Sequence, residues 1–129
     1  MENKTKRDVT FLNLVSDFET NFEKGQSVNL DDKTFLEIIR FYEEELQYDK
    51  AIEVADLALS QHSYKPDFYI IKARLLFQTS LQDEALELLT KAEAISPFEH
   101  DILLLKIRIL AFKGEITEAK NILKDMKRY

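Results

Sequence analysis

The feature that most constrains this chain is an alanine that returns every 34 residues. Ala51, Ala85 and Ala119 are each 34 positions apart, and each lies near the start of a segment with helical spacing of apolar residues. Ala58 and Ala92 return at the same step. A fixed step of roughly 20 to 50 residues indicates a repeat array, in which each unit buries its apolar face only against its neighbours. The sequence therefore predicts a threefold helical repeat.

The apolar periodicity predicts seven helices and no strand. Six of the predicted helices cover residues 8–24, 49–61, 66–78, 82–95, 97–113 and 116–128, and the second in chain order carries Phe35 and ends near Leu46. Asn29 or Asp31 is expected to cap the second helix, and Ser96 to cap the sixth, with Pro97 as its first residue. Gly25 stands where a helix end favours a left-handed residue. The expected fold class is all-α, with antiparallel helix pairs whose close approach needs the small alanines.

Composition excludes several classes of function. A chain of 129 residues with a formal net charge of −6 holds one domain, and its acidity argues against binding to nucleic acid or to an anionic membrane. No apolar run approaches the roughly 18 residues of a membrane span, and no secretory signal is recognisable. The absence of cysteine removes thiol chemistry and fits a cytoplasmic location.

No set of residues converges on catalysis. The two histidines, His62 and His100, lie in or beside loops, where a solvated turn residue is expected rather than a ligand or a base. Neighbouring carboxylates such as Glu43 and Glu44 are typical of a solvated helix face. We therefore expect no catalytic residue, no metal site and no cofactor.

The order of bulky and small residues resembles the tetratricopeptide repeat, which has two helices in 34 residues. The resemblance covers residues 32–129. The repeating alanines fall at the motif's twentieth position, whereas Ile39 and Ile107 depart from its small eighth position and only Pro97 matches its closing proline. The resemblance implies a right-handed superhelical array with repeats at about 32–65, 66–99 and 100–129, preceded at 1–30 by a tail and an extra helix packing on the array.

In that family the first helix of each repeat lines a concave, partner-binding face. The residues that the resemblance places on this face combine aliphatic, arginine and aromatic side chains: Leu36, Ile70, Leu104, Arg40, Arg74, Arg108, Phe77 and Phe112. Acids three or four residues away, including Glu43, are expected to satisfy Arg40, whereas Arg74 and Arg108 have no such neighbour. We expect these two arginines to take a partner's carboxylates. The alternative is that they pair with acids of adjacent helices.

The resulting expectation is a non-enzymatic scaffold for protein–protein interaction, whose concave groove binds an acidic and apolar segment of a protein or peptide. Two alternatives stay open. The last repeat has no further helix to cover its apolar residues Ile116, Ile122, Leu123 and Met126, which favours a homodimer. The chain is also compatible with the regulatory or targeting segment of a larger protein.

Overall fold

The computed structural model describes residues 9–127. Within that range there are seven α-helices and no strand, so the all-α prediction is confirmed. The helices are α1 (Val9–Glu23), α2 (Asp32–Glu44), α3 (Tyr48–Gln61), α4 (Pro66–Gln78), α5 (Gln82–Ile95), α6 (His100–Phe112) and α7 (Ile116–Met126). Asp31 caps α2, since its carboxylate accepts a hydrogen bond from the backbone N–H of Thr34 at 3.0 Å.

From α2 onwards, helices that follow each other in the chain also pack against each other. The pairs α2–α3, α4–α5 and α6–α7 are joined through contacts of α3 with α4 and of α5 with α6, and α4 also contacts α6. The alanines predicted at the crossings, Ala51, Ala58, Ala85 and Ala92, are fully buried. Their small side chains permit the close approach of each pair. The protein is therefore a helical repeat array whose apolar core consists of two clusters.

The first helix of each pair ends in the same way. Leu46, Ser80 and Gly114 lie 34 residues apart and have φ angles of 60°, 67° and 87°. Each lies in a Schellman motif, as in Leu81 N–H to Leu76 C=O at 2.8 Å and Ser80 N–H to Phe77 C=O at 3.1 Å. This left-handed residue reverses the chain into the second helix of the pair.

The predicted start of the sixth helix is wrong by three residues. The helix begins at His100 rather than at Pro97. Phe98 has a φ of 66°, and this left-handed conformation interrupts the helical path. Ser96 does not cap the helix, because its hydroxyl donates to the Glu99 carboxylate at 3.4 Å and accepts no bond from a helical N–H. The predicted end of the last helix, at 128, lies outside the described residues.

Helix α1 is held to the array by side chains. Val15 and Phe18 are buried in the core cluster of the first helix pair. The Tyr42 hydroxyl donates a hydrogen bond of 2.5 Å to the Glu19 carboxylate, to which Lys50 also pairs at 3.4 Å. Burial and the bond to Glu19 together raise the pKa of the Tyr42 hydroxyl well above its ordinary value. The first helix therefore packs on the first helix pair.

The end of α3 fixes the segment between α1 and α2. Gln61 donates to the carbonyl of Val28 at 2.5 Å and accepts from the N–H of Leu30 at 3.2 Å. His62 Nε2 lies 2.9 Å from the Leu30 carbonyl oxygen, and its ring contacts that of Phe68. The expectation of a solvated turn residue is therefore wrong for His62, which is half-buried and has a structural role.

None of the helices within residues 9–127 is both long and apolar enough to cross a membrane.

Candidate protein-binding surface

The predicted binding residues form one stripe on the first helix of each pair. Leu36 and Arg40 lie four residues apart on α2, and the same spacing recurs on α4 and α6, so each pair shares a helix face. Two contacts link these helices. Glu43 of α2 pairs with Arg74 of α4, and the rings of Phe77 and Phe112 meet edge to face between α4 and α6 at a centroid distance of 5.4 Å. The array therefore sets the three stripes side by side.

Arg74 does have an acidic partner, contrary to the expectation from its own helix. Its guanidinium pairs with the carboxylate of Glu43, which is 31 residues earlier in the chain and only one-fifth exposed. This contact is the pairing with an adjacent helix that the alternative predicts. Glu43, one of the acids expected to satisfy Arg40, is engaged on α4 instead. Arg40 is exposed and makes no ion pair with any of the described residues.

Arg108 differs from Arg74 because of one residue on the first helix of the preceding pair. Moving the Glu43–Arg74 pair forward by one repeat gives Phe77 and Arg108, so a phenylalanine stands where the acid stood. Arg108 is exposed, and no acid within the described part of the chain pairs with it. Its charge therefore remains available to a ligand.

The predicted apolar residues also differ in exposure, as the arginines do. Leu36, Ile70 and Phe77 are half-buried against the core clusters. By contrast, Leu104 is 51% exposed and Phe112 is 69% exposed, although Phe112 lies on the ring of Phe77. Leu104, Arg108 and Phe112 occupy positions four residues apart, and we call them the α6 stripe. The accessible apolar part of the predicted surface therefore lies on the α6 stripe, and Arg40 is a further exposed residue on α2.

A cavity that the sequence did not predict lies on another side of the third pair. It has a volume of about 510 Å³ and is formed by α5, α6, α7 and the turn before α6. Its lining combines apolar and charged residues: Glu93, Pro97, Phe98, His100, Leu103, Lys106, Ile122, Asp125 and Met126. The only signal in the sequence is the run from Ser96 to Glu99, whose interpretation as a helix start conceals the turn that shapes the cavity.

The titratable groups of the described residues are scattered. No group of three or more His, Cys, Asp or Glu side chains within residues 9–127 has an arrangement that could hold a metal ion. The pKa of Asp32 is lowered by its hydrogen bond to Lys65, and the pKa of Asp31 by its bonds to Thr34. Both acids lie at the start of α2, away from the α6 stripe, and serve that helix end.

Fold and surface together define the class of this chain as an all-α helical repeat array. A scan against models of known protein families finds no match. No curated protein matches the chain at a significant level. The likeness to the tetratricopeptide repeat consequently depends on the residues of this chain alone.

Proposed function

We propose that the protein is a non-enzymatic scaffold that binds a segment of a partner protein along the α6 stripe. In this proposal the array is a right-handed superhelix of the tetratricopeptide type, the stripe lies on its concave face, and the protein works in the cytoplasm. The observation that carries the proposal is the exposed arginine between two exposed apolar residues on α6. In this proposal the same surface would serve if the chain is the regulatory or targeting segment of a larger protein.

The spacing of the α6 stripe indicates the chemistry of the partner. Residues four apart on a helix are separated by about 6 Å along its axis, since each residue rises about 1.5 Å. A partner segment with a carboxylate flanked by apolar side chains can therefore contact Leu104, Arg108 and Phe112 at once. The guanidinium accommodates a carboxylate through two parallel hydrogen bonds. Exposed aromatic residues next to such a pair are common energetic centres of interfaces.

The other predicted residues have supporting roles in this proposal. Arg74 is held by Glu43, so it orders the junction of α2 and α4 instead of binding the partner. Ile70 and Leu36 continue the apolar floor of the groove towards the N-terminal end. Arg40 offers a second cation there, which suits a partner with more than one acid.

The test first selects a peptide ligand and then measures its binding to variants with substitutions in the α6 stripe. A displayed library of random peptides is selected on the purified chain, and the enriched peptide is titrated by calorimetry against the Arg108→Glu and Phe112→Ala variants. Enriched sequences should carry an acid next to apolar residues. Phe112→Ala should weaken binding by about 2 kcal/mol if this side chain is an energetic centre of the interface. Arg108→Glu should abolish detectable binding.

Lys91→Glu provides the matched control. Lys91 is exposed on α5, where the same change in charge lies outside the α6 stripe, and the variant should bind as tightly as the wild-type chain. Circular dichroism establishes that each variant remains helical. The proposal is wrong if the enriched peptides carry no acid, or if Arg108→Glu binds them with unchanged affinity.

A further inference from the structure

No described element covers the outer face of α7, although the corresponding faces of α3 and α5 are covered. This face consists of Ile116, Lys120, Leu123 and Lys127, and all four are exposed. The equivalent residues 34 and 68 positions earlier are all buried or half-buried, namely Gln82, Leu86, Leu89, Glu93, Tyr48, Ile52, Ala55 and Leu59. Leu89 is fully buried whereas Leu123 is 43% exposed. The difference arises because α4 and α6 pack on the earlier pairs, and no described element packs on the last one.

The α7 face also differs in charge from its equivalents. Lys120 stands where Ile52 and Leu86 pack into the core clusters. Neither Lys120 nor Lys127 pairs with an acid among the described residues. Residues 100–127 contain six Lys and Arg and four Asp and Glu, a net charge of +2. The face is therefore an apolar patch with basic residues, which suits an acidic partner surface.

The opposite end of the array has the complementary composition. Residues 9–65 contain five Lys and Arg and twelve Asp and Glu, a net charge of −7. On α2, Glu37 stands where α4 and α6 have the apolar residues Ile71 and Leu105, which pack on the preceding pair. Helix α1 leaves Glu37 exposed, and its own Val9 and Leu12 are exposed apolar residues. The N-terminal end thus combines acids with apolar side chains.

We infer that the N-terminal end of a second copy of this chain covers the α7 face, so that molecules associate head to tail. The residues equivalent to Glu37 in the later repeats are Ile71 and Leu105, and those equivalent to Lys120 in the earlier repeats are Ile52 and Leu86. Within the array these two positions lie in the same core cluster: Ile71 with Ile52 in one cluster, and Leu105 with Leu86 in the other. Head-to-tail contact brings opposite charges together at these positions. A symmetric contact of two α7 faces would bring lysines against lysines, which is unfavourable. A head-to-tail contact that does not close into a ring produces open chains.

Charge reversal at each end tests the inference on the full chain. The first variant, Lys120→Glu with Lys127→Glu, makes the α7 face acidic. The second variant, Asp17→Lys with Glu37→Lys, makes the N-terminal end basic. All four residues are exposed. Sedimentation velocity from micromolar to millimolar protein should show concentration-dependent association of the wild-type chain and, for either variant alone, a dissociation constant raised roughly tenfold or more.

An equimolar mixture of the two variants should associate again, because each reversed end then meets an end of opposite charge. The control variants Lys91→Glu and Glu87→Lys, on the exposed side of α5, should associate like the wild-type chain. A wild-type chain that stays monomeric at every concentration overturns the inference. So does an N-terminal variant that associates as tightly as the wild type, because a symmetric contact of α7 faces would leave it unaffected. The α6 stripe takes no part in this test.

Discussion

The three left-handed residues at the ends of α2, α4 and α6 allow a test in which substitutions at equivalent positions change the free energy of unfolding in opposite directions. Leu46, Ser80 and Gly114 make the same turn with the same hydrogen bonds. Only glycine adopts a left-handed conformation without steric strain between Cβ and the backbone. The change of Ser80 to glycine should therefore stabilise the fold, and the change of Gly114 to alanine should destabilise it.

The magnitude follows from two opposing contributions. A left-handed conformation costs a residue with a Cβ about 1–2 kcal/mol, and glycine costs about 0.4–1 kcal/mol through the greater freedom of the unfolded chain. At Gly114 an added Cβ would meet no atom within 4 Å, so packing contributes nothing to the difference. We expect a net change in the free energy of unfolding of about 0.5–1 kcal/mol, negative for Gly114→Ala and positive for Ser80→Gly.

Urea denaturation followed by circular dichroism measures both free energies. Leu46→Gly should also stabilise, but by less than Ser80→Gly, because the 71% exposed leucine still gives up some packing. The control is Glu87→Gly, at an exposed position inside α5, which should destabilise by about 1 kcal/mol because glycine is a poor helix former. If Ser80→Gly destabilises as the control does, or if Gly114→Ala leaves the free energy unchanged, the strain explanation is wrong.

Two further predictions concern the attachment of the N-terminal helix. Tyr42→Phe should lower the free energy of unfolding by about 1 kcal/mol at neutral pH, since the half-solvated bond to Glu19 is lost. Because the pKa of Tyr42 is raised in the folded protein, the hydroxyl ionises at lower pH in the unfolded chain, and the wild type should lose stability above pH of about 10. Chemical denaturation should show a smaller loss of stability with rising pH in Tyr42→Phe. Equal losses in the two proteins would contradict this. Gln61→Ala should lower the free energy of unfolding by about 1–2 kcal/mol because it leaves the Val28 carbonyl and the Leu30 amide unpaired. Hydrogen exchange at the Leu30 amide should accelerate in this variant. Unchanged exchange would exclude this role of Gln61.

Local patterns in the sequence predicted most of the fold. Five of the seven helices begin within one residue of the predicted position, because the apolar period and the residues at helix ends act over one or two turns. The alanines identified the helix crossings for the same reason. The sixth helix was misplaced because Ser96 and Pro97 form a favourable start signal, while the left-handed Phe98 has no signature of its own. Leu46 and Ser80 were missed likewise, although their alignment with Gly114 indicates them.

The candidate site was less predictable, because contacts between repeats determine which of its side chains are available for binding. The row of arginines was visible in the sequence, and so was the absence of acids near Arg74 in its own helix. The partner of Arg74 is Glu43, on the first helix of the preceding pair. No pattern within one helix distinguishes this arginine from Arg108. Only the superposition of one repeat on the next shows that Phe77 takes the place of the acid.

Equivalent residues in a repeat array can therefore differ in exposure and in ion pairing. These differences give such an array distinct surfaces. Arg74 and Arg108 occupy the same position, yet one is neutralised by an acid and the other lies exposed beside apolar residues. Leu89 and Leu123 are identical residues at one position, yet within residues 9–127 a following helix covers only the first. In both cases the neighbouring unit, and not the residue, decides what is available for binding. The surfaces that bind partners should thus arise where one unit departs from its neighbour, at Phe77 within the array and at α7 at its end.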